Sequence, residues 1–427
     1  MGLTTEPTDR DSRRPLSKWP FSFGAALNPW RNLAGMPREV WLLFATNLIN
    51  RAGMMVLPFL LLYLTRELGF SASRAGFVFA VYGATAIVFG PVSGRLSDRL
   101  GAVPVMRVSL LGAGSVLFAF QYARTFTSVV LMTIAWAACA ELFRPASLAA
   151  VTHAVDITQR KPAFALNRLA INLGMSIGPA LGGFLATVSF RAMFVVDSLT
   201  TLIAGMVLTL TPWKAASHVE RGDERESSLD APAMFDSRLI AFLVAAVLVS
   251  IVFFQHEATL PLYLVQDLRL SPAFYGMLFT INTLLIVALE VPINSATAHW
   301  PNTRLLVAGC LLFAIGFGAL AAIHSARGVI LTTIVWTFGE MLLFPAMVAH
   351  LGEIAPDHRR GAYMGAYSMS LSIALTIGPW LGTQILSAFG APILWTAMFA
   401  LGSLAALLMA FSAPRLAARS AAAGAES

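Results

Sequence analysis

Ile177-Gly178-Pro179-Ala180-Leu181-Gly182 and Ile377-Gly378-Pro379-Trp380-Leu381-Gly382 are one phrase written twice, 200 residues apart. Outward from it the offset holds. Trp136 returns as Trp336, and Pro145-Ala146 as Pro345-Ala346. Between 131 and 182, 14 of 52 positions are identical to the residue 200 further on. Nearer the N-terminus, Leu62-Tyr63-Leu64 recurs as Leu262-Tyr263-Leu264, with Leu68, Ser71 and Gly76 matched by Leu268, Ser271 and Gly276. Two apolar sequences share Ala and Leu by chance, but Trp, Pro and Gly-Pro at one fixed offset mark a duplicated unit.

Composition says where such a unit lives. Of 427 residues 57% are hydrophobic and only 12% charged, with mean hydropathy +0.73. A soluble domain carries about 25% charge and needs a polar shell that this chain cannot supply. The chain reads as an integral membrane protein; disorder, fibre and disulfide-scaffold classes are excluded. Cys139 and Cys310 sit singly in apolar runs, with no metal-ligand spacing. No Walker loop or dinucleotide fingerprint appears, so neither a cofactor nor a metal is expected. Lys and Arg outnumber Asp and Glu by 29 to 22. In a membrane chain that excess reports topology rather than nucleic-acid binding.

Twelve apolar stretches can each cross a hydrocarbon core of about 30 Å. They run over 38–65, 72–94, 104–122, 126–151, 162–187 and 191–211, then 238–264, 272–297, 303–323, 327–350, 361–387 and 391–412. The expected organisation is a cytoplasmic tail (1–37), a six-helix bundle (38–211), a charged cytoplasmic linker (212–237), a second six-helix bundle (238–412) and a cytoplasmic tail (413–427). The N-terminal tail lacks a signal-peptide pattern, and its Trp19–Trp30 stretch is expected on the membrane surface. With both termini in the cytoplasm, only Arg66, Arg74, Arg124, Arg191, Arg269 and Arg327 fall in outer segments. Parallel repeats place a substrate site between the halves, near mid-membrane.

Three motifs carry the family resemblance. Gly94-Arg95-Leu96-Ser97-Asp98-Arg99-Leu100-Gly101 stands between the second and third spans. Its glycines allow a tight turn, and Asp98 is placed to cap a neighbouring helix N-terminus. In the fifth span, Gly174, Gly178, Pro179, Gly182 and Gly183 form a small-residue face that admits close helix approach. The third is Leu142-Phe143-Arg144-Pro145-Ala146 with Arg360-Gly361-Ala362-Tyr363-Met364-Gly365.

The first resembles the loop signature of the major facilitator superfamily. Its two following basic positions are here Ala102 and Val103, with the next base at Arg107. The second resembles the glycine-proline signature of the antiporter branch, and the third the bacterial multidrug members. The resemblance covers about residues 38–412. It implies an all-α fold of twelve transmembrane helices in two pseudo-symmetric bundles, alternating access, and a gating role for Gly94, Asp98, Arg99, Gly101 and Arg107. It further implies a bacterial inner-membrane protein exchanging a small-molecule substrate against protons.

Charged residues inside spans are costly, so each is a functional candidate. Glu340 lies mid-span with no basic residue within four positions, and Glu141 almost matches it in the first half. They head the proton-coupling candidates, before Glu290 and Glu257, the latter following His256 near the outer face. Glu141 also reads as an i, i+3 partner of Arg144. Arg51, with Asn47 and Asn50 on its face, Arg144, Trp136 and Trp336 are the substrate-cavity candidates. Asp197 reads as a rim or packing residue. Asn50-Arg51-Ala52-Gly53 to Tyr63-Leu64-Thr65 resembles the first helix of proton-coupled peptide transporters, without their two glutamates before the Arg.

The function expected is proton-coupled efflux of amphipathic, drug-like molecules by a monomer in the lipid bilayer. Uptake of peptides, sugars or organic anions is the alternative within transport. A lipid flippase or an intramembrane enzyme is the alternative of another class, although no paired catalytic groups appear.

Overall fold

The computed structural model describes residues 35–156, 159–213, 237–356 and 359–412. The N-terminal tail, nearly all of the linker and the C-terminal tail lie outside them. Among the described residues twelve helices are long and apolar enough to cross a membrane: α1 (Arg38–Glu67), α2 (Ala72–Leu100), α3 (Ala102–Phe120), α4 (Phe126–Ala154), α5 (Pro162–Val188), α6 (Phe190–Leu210), α7 (Ser237–Asp267), α8 (Pro272–Ala296), α9 (Asn302–Ala321), α10 (Ala326–Ile354), α11 (Ala362–Phe389) and α12 (Ala391–Phe411). No strand occurs among the described residues. From Pro37 onward the described residues form one compact unit.

The repeated residues have identifiable tasks. Ser71 and Ser271 are N-caps, their hydroxyls accepting from the backbone N–H groups of Arg74 and Phe274 at 3.3 and 3.2 Å. Tyr63 and Tyr263 each open a five-residue π turn, 63–67 and 263–267, that ends its helix. Gly101 joins α2 to α3 alone, at φ 88° where only glycine is unstrained. The expected loop over 94–101 is therefore a correction. The second helix runs on to Leu100, because its polar last turns have passed the apolar stretch and nothing before Gly101 breaks them.

In the first half α1 packs on α5 and α6, and α3 on α4 and α6; in the second, α7 packs on α11 and α12, and α9 on α10 and α12. The halves meet along two seams, α2 against α11 and α5 against α8, which the 200-residue offset interchanges.

Both α1 and α7 break at repeat-related places. α1 is helical over Arg38–Gly53 and again from Val56, and α7 over Ser237–Phe254 and again from Thr259. Inside a bilayer, backbone freed by a break needs a protein partner. Asp197 of α6 supplies one, its Oδ2 accepting from the N–H groups of Met55 at 2.9 Å and Val56 at 2.8 Å. A carboxylate at a helix N-terminus also meets the positive end of the helix dipole. Asp197 is only 3% exposed, so it is a structural clamp rather than a rim residue. In α7 the fully buried Gln255 fills this role, donating to the Ile251 and Gly378 carbonyls and accepting from Thr259.

Candidate functional site

The glycine-proline face of α5 packs on the broken segment of α1. A Cβ at Gly178 would lie 2.7 Å from the Arg51 carbonyl oxygen, and one at Gly182 2.9 Å from Met55 Cβ. Gly174 lies as tightly against Arg51 and Ala52. Gly183 faces the other way, toward α8, where a Cβ would stand 2.6 Å from the Pro272 carbonyl. The helix continues through Pro179 without interruption. The motif therefore brings α1 and α8 against opposite sides of one smooth helix, which larger side chains would forbid.

Beside this junction, each half presents one carboxylate held by an uncharged donor. Tyr82 on α2 donates its hydroxyl to Glu141 Oε1 on α4 at 3.2 Å. Asn282 on α8 donates its amide to Glu340 Oε2 on α10 at 2.8 Å. The donors are exact repeat mates, since 82 plus 200 is 282. Trp136 packs edge-on against Tyr82 at 5.0 Å between ring centroids. Trp336 stacks on Phe317 at 5.6 Å and lies 5.9 Å from the His256 ring.

Glu141 sits where α4 loosens into a two-residue turn, four residues before Pro145. Proline cannot donate to the carbonyl one turn back. Serines satisfy neighbouring carbonyls here: Ser93 donates to Leu142 at 2.6 Å and Ser109 to Cys139 at 2.7 Å. The expected Glu141–Arg144 ion pair is absent. Arg144 is exposed and without a hydrogen bond or ion pair among the described residues, within electrostatic range of Arg51, Glu141 and Tyr367.

Arg51 ends the first segment of α1, within electrostatic range of Glu141, Arg144 and Glu257. Its guanidinium touches Met54 Sδ at 3.1 Å, and its buried Nε has no partner. His256 and Glu257 occupy the α7 break, with Nε2 and Oε1 3.6 Å apart and both residues buried. Asn50 stays half-buried near Arg51. Asn47 does not line the cavity. It is 1% exposed, with its amide within 3.1 Å of Leu43 O, Ser147 Oγ and Asn167 Oδ1, and ties α1 to α4 and α5. Its burial behind the helix face corrects the cavity assignment.

Glu290 is paired across the α5/α8 seam with Arg168, which sequence reasoning passed over. In the motif at the end of α2, Asp98 and Arg99 are exposed and unpartnered among the described residues. Arg107 instead donates to the Leu208 carbonyl at 3.1 Å, near the C-terminus of α6, where a cation complements the helix dipole. No cluster of three or more potential metal ligands occurs among the described residues.

The major facilitator superfamily model matches residues 42–271 and 242–425. The chain belongs to this superfamily. It is 29% identical over 82% of its length to the uncharacterized MFS-type transporter YqjV of Bacillus subtilis (strain 168), covering 87% of that protein. To multidrug resistance protein 1 of the same organism it is 24% identical, covering 82% of this chain and 90% of the other. Among solved structures, a mutant of the peptide transporter POT superposes with TM-score 0.76 at 16% identity, covering 89% of this chain and 95% of that one. That likeness concerns the fold. Superfamily membership makes the chain a multi-pass membrane transporter.

Proposed function

We propose that this chain exports amphipathic, drug-like molecules in exchange for protons by alternating access. One observation carries the reading. Glu141 and Glu340 stand at nearly repeat-related positions, each held by a neutral donor and neither neutralised by a base within ion-pair distance. A carboxylate so placed accepts and returns a proton without dismantling an ion pair, and a passing cation competes for the same charge. Trp136 and Trp336, each 4% exposed, and Tyr82, 5% exposed, pack as apolar rings beside these carboxylates, and would meet a hydrophobic ligand only as the helices around them part. The likeness to multidrug resistance protein 1 favours drug-like substrates. The linker end is the cytoplasmic one in this reading, set by the distribution of Arg and Lys, and the membrane is the inner membrane of a bacterium.

The test is a resistance and efflux panel in a drug-sensitive host, with and without a collapsed proton gradient. Extrusion of at least one lipophilic compound that stops when the gradient collapses supports the reading. Efflux indifferent to the gradient, or none across a broad panel at verified expression, removes it.

Arg51 favours a second reading, uptake of an anionic substrate. A buried guanidinium nitrogen without a partner is expensive, and a carboxylate ligand satisfies it. Counterflow in inverted vesicles separates the two directions.

A further inference from the structure

The two seams between the halves are copies of each other, yet toward the linker end an ion pair ties one of them and none ties the other among the described residues. At one end they match closely. A Cβ at Gly83 of α2 would lie 2.8 Å from Thr376 Cα of α11, while Thr280 of α8 donates to the Ser176 carbonyl of α5 at 2.9 Å. Two to three turns nearer the linker end they part company. There Arg168 of α5 reaches Glu290 of α8 within hydrogen-bonding distance. The positions that the 200-residue offset assigns to this pair are Ser368 and Gly90. A Cβ at Gly90 would meet nothing within 4 Å, nor would one at Gly94 or Gly365.

Arg168 is 63% exposed, whereas Glu290 is 15% exposed. A long side chain stretched from a solvated position onto a half-buried carboxylate adds little to global stability. It does limit how far two helices can part. Among the described residues no other ion pair joins the halves. Glu340 is the other charge near the tether, within electrostatic range of both Arg168 and Glu290.

We infer that the Arg168–Glu290 pair makes the α5/α8 seam the hinge edge of the molecule, so that the linker end opens unsymmetrically, by α2 parting from α11. The inference goes beyond the proposed export and needs only that the halves move against each other. It concerns the amplitude of motion at each seam, whatever the cargo.

Four repeat-related positions provide the test. Spin labels at Gly94→Cys and Gly365→Cys span the α2/α11 seam; labels at Asn294→Cys and Ala165→Cys span the matching place on α5/α8. The full chain is placed in lipid nanodiscs without substrate, with Cys139 and Cys310 replaced by alanine. Electron–electron resonance distances should be broad across α2/α11 and narrow across α5/α8. Arg168→Gln or Glu290→Gln should broaden the α5/α8 distribution to about that of its counterpart. The charge swap Arg168→Glu with Glu290→Arg should narrow it again. Equally wide distributions in the parent overturn the inference, and that comparison needs no variant to fold. It is overturned too if both single variants leave α5/α8 narrow, or if the swap fails to restore what they broaden. A null efflux panel leaves these distances unaffected, so the two proposals fail separately.

Discussion

The α2/α11 and α5/α8 seams descend from one duplicated contact but use it differently. At the end carrying the turns 68–71 and 268–271, both are sealed by glycine: Gly76 against Thr383, and Gly276 against the Pro179 carbonyl. Cross-half hydrogen bonds reinforce that end, Gln266 to Thr65 at 3.2 Å and Gln384 to Ser73 at 2.6 Å. Toward the linker end α2/α11 carries glycines where an added Cβ would meet nothing within 4 Å, while α5/α8 acquires an ion pair. Duplication supplied the shared closure, and the two seams then diverged at the level where the halves must separate.

The largest expected effect comes from filling the sealed part of a seam and comparing it with the open part. Gly83→Leu drives a side chain into the Thr376 backbone. Overpacking of this kind typically costs about 1–3 kcal/mol, here concentrated on one conformation, so transport should fall more than tenfold. Gly90→Leu, two turns along the same helix, should retain most activity. Similar transport rates for the two variants at equal expression break the comparison.

Next in size is the clamp beneath the α5 glycines. Asp197→Ala leaves two backbone N–H groups of the α1 break without their acceptor. Losing charge-assisted hydrogen bonds costs roughly 1.5–3 kcal/mol each, and the detergent-solubilised protein should show a melting temperature lower by several degrees. An unchanged melting temperature would mean that the break does not depend on α6.

A smaller effect belongs to Asp98, exposed at the open end of α2. If it caps a helix N-terminus only when the linker end closes, Asp98→Asn should leave thermal stability unchanged yet slow transport severalfold. A capping charge is worth about 0.3–1 kcal/mol. Wild-type transport by this variant returns the motif to a solvated helix end. Smallest of all, Gly90→Ala should be neutral or raise stability by up to ~1 kcal/mol, since Ala favours helix and its Cβ meets nothing. A destabilised Gly90→Ala would show that the gap closes in the resting protein.

Much of this is legible in the sequence alone, for physical reasons. Long apolar runs declare themselves, and the Ile-Gly-Pro repeat marks the face that packs on α1 and α7. What escaped reading depends on partners rather than on patterns. Asn47 resembled a cavity residue because its partners Ser147 and Asn167 lie 100 and 120 residues away. A single tyrosine or asparagine in a span has no spacing signal, so Tyr82 and Asn282 went unread although the offset pairs them. Arg168 stood beside a stronger glycine motif. Asp197 is one acid in an apolar helix, and only the broken helix opposite it gives it meaning. The cost of an intramembrane charge did single out Glu141 and Glu340, but not the neutral donors that hold them.

In the proposed exchange Glu340, with Glu141 second, carries the proton. That assignment is tested most directly by reconstituting the purified protein and measuring pH-gradient-driven transport of a compound found in the efflux panel, for the parent, Glu340→Gln and Glu141→Gln. Glutamine keeps the shape and a hydrogen-bonding partner for Asn282 while fixing the neutral state. Glu340→Gln is expected to lose gradient-driven accumulation yet still exchange an uncharged substrate across the bilayer. Full gradient-driven accumulation by both glutamine variants would contradict it and place the proton on another group.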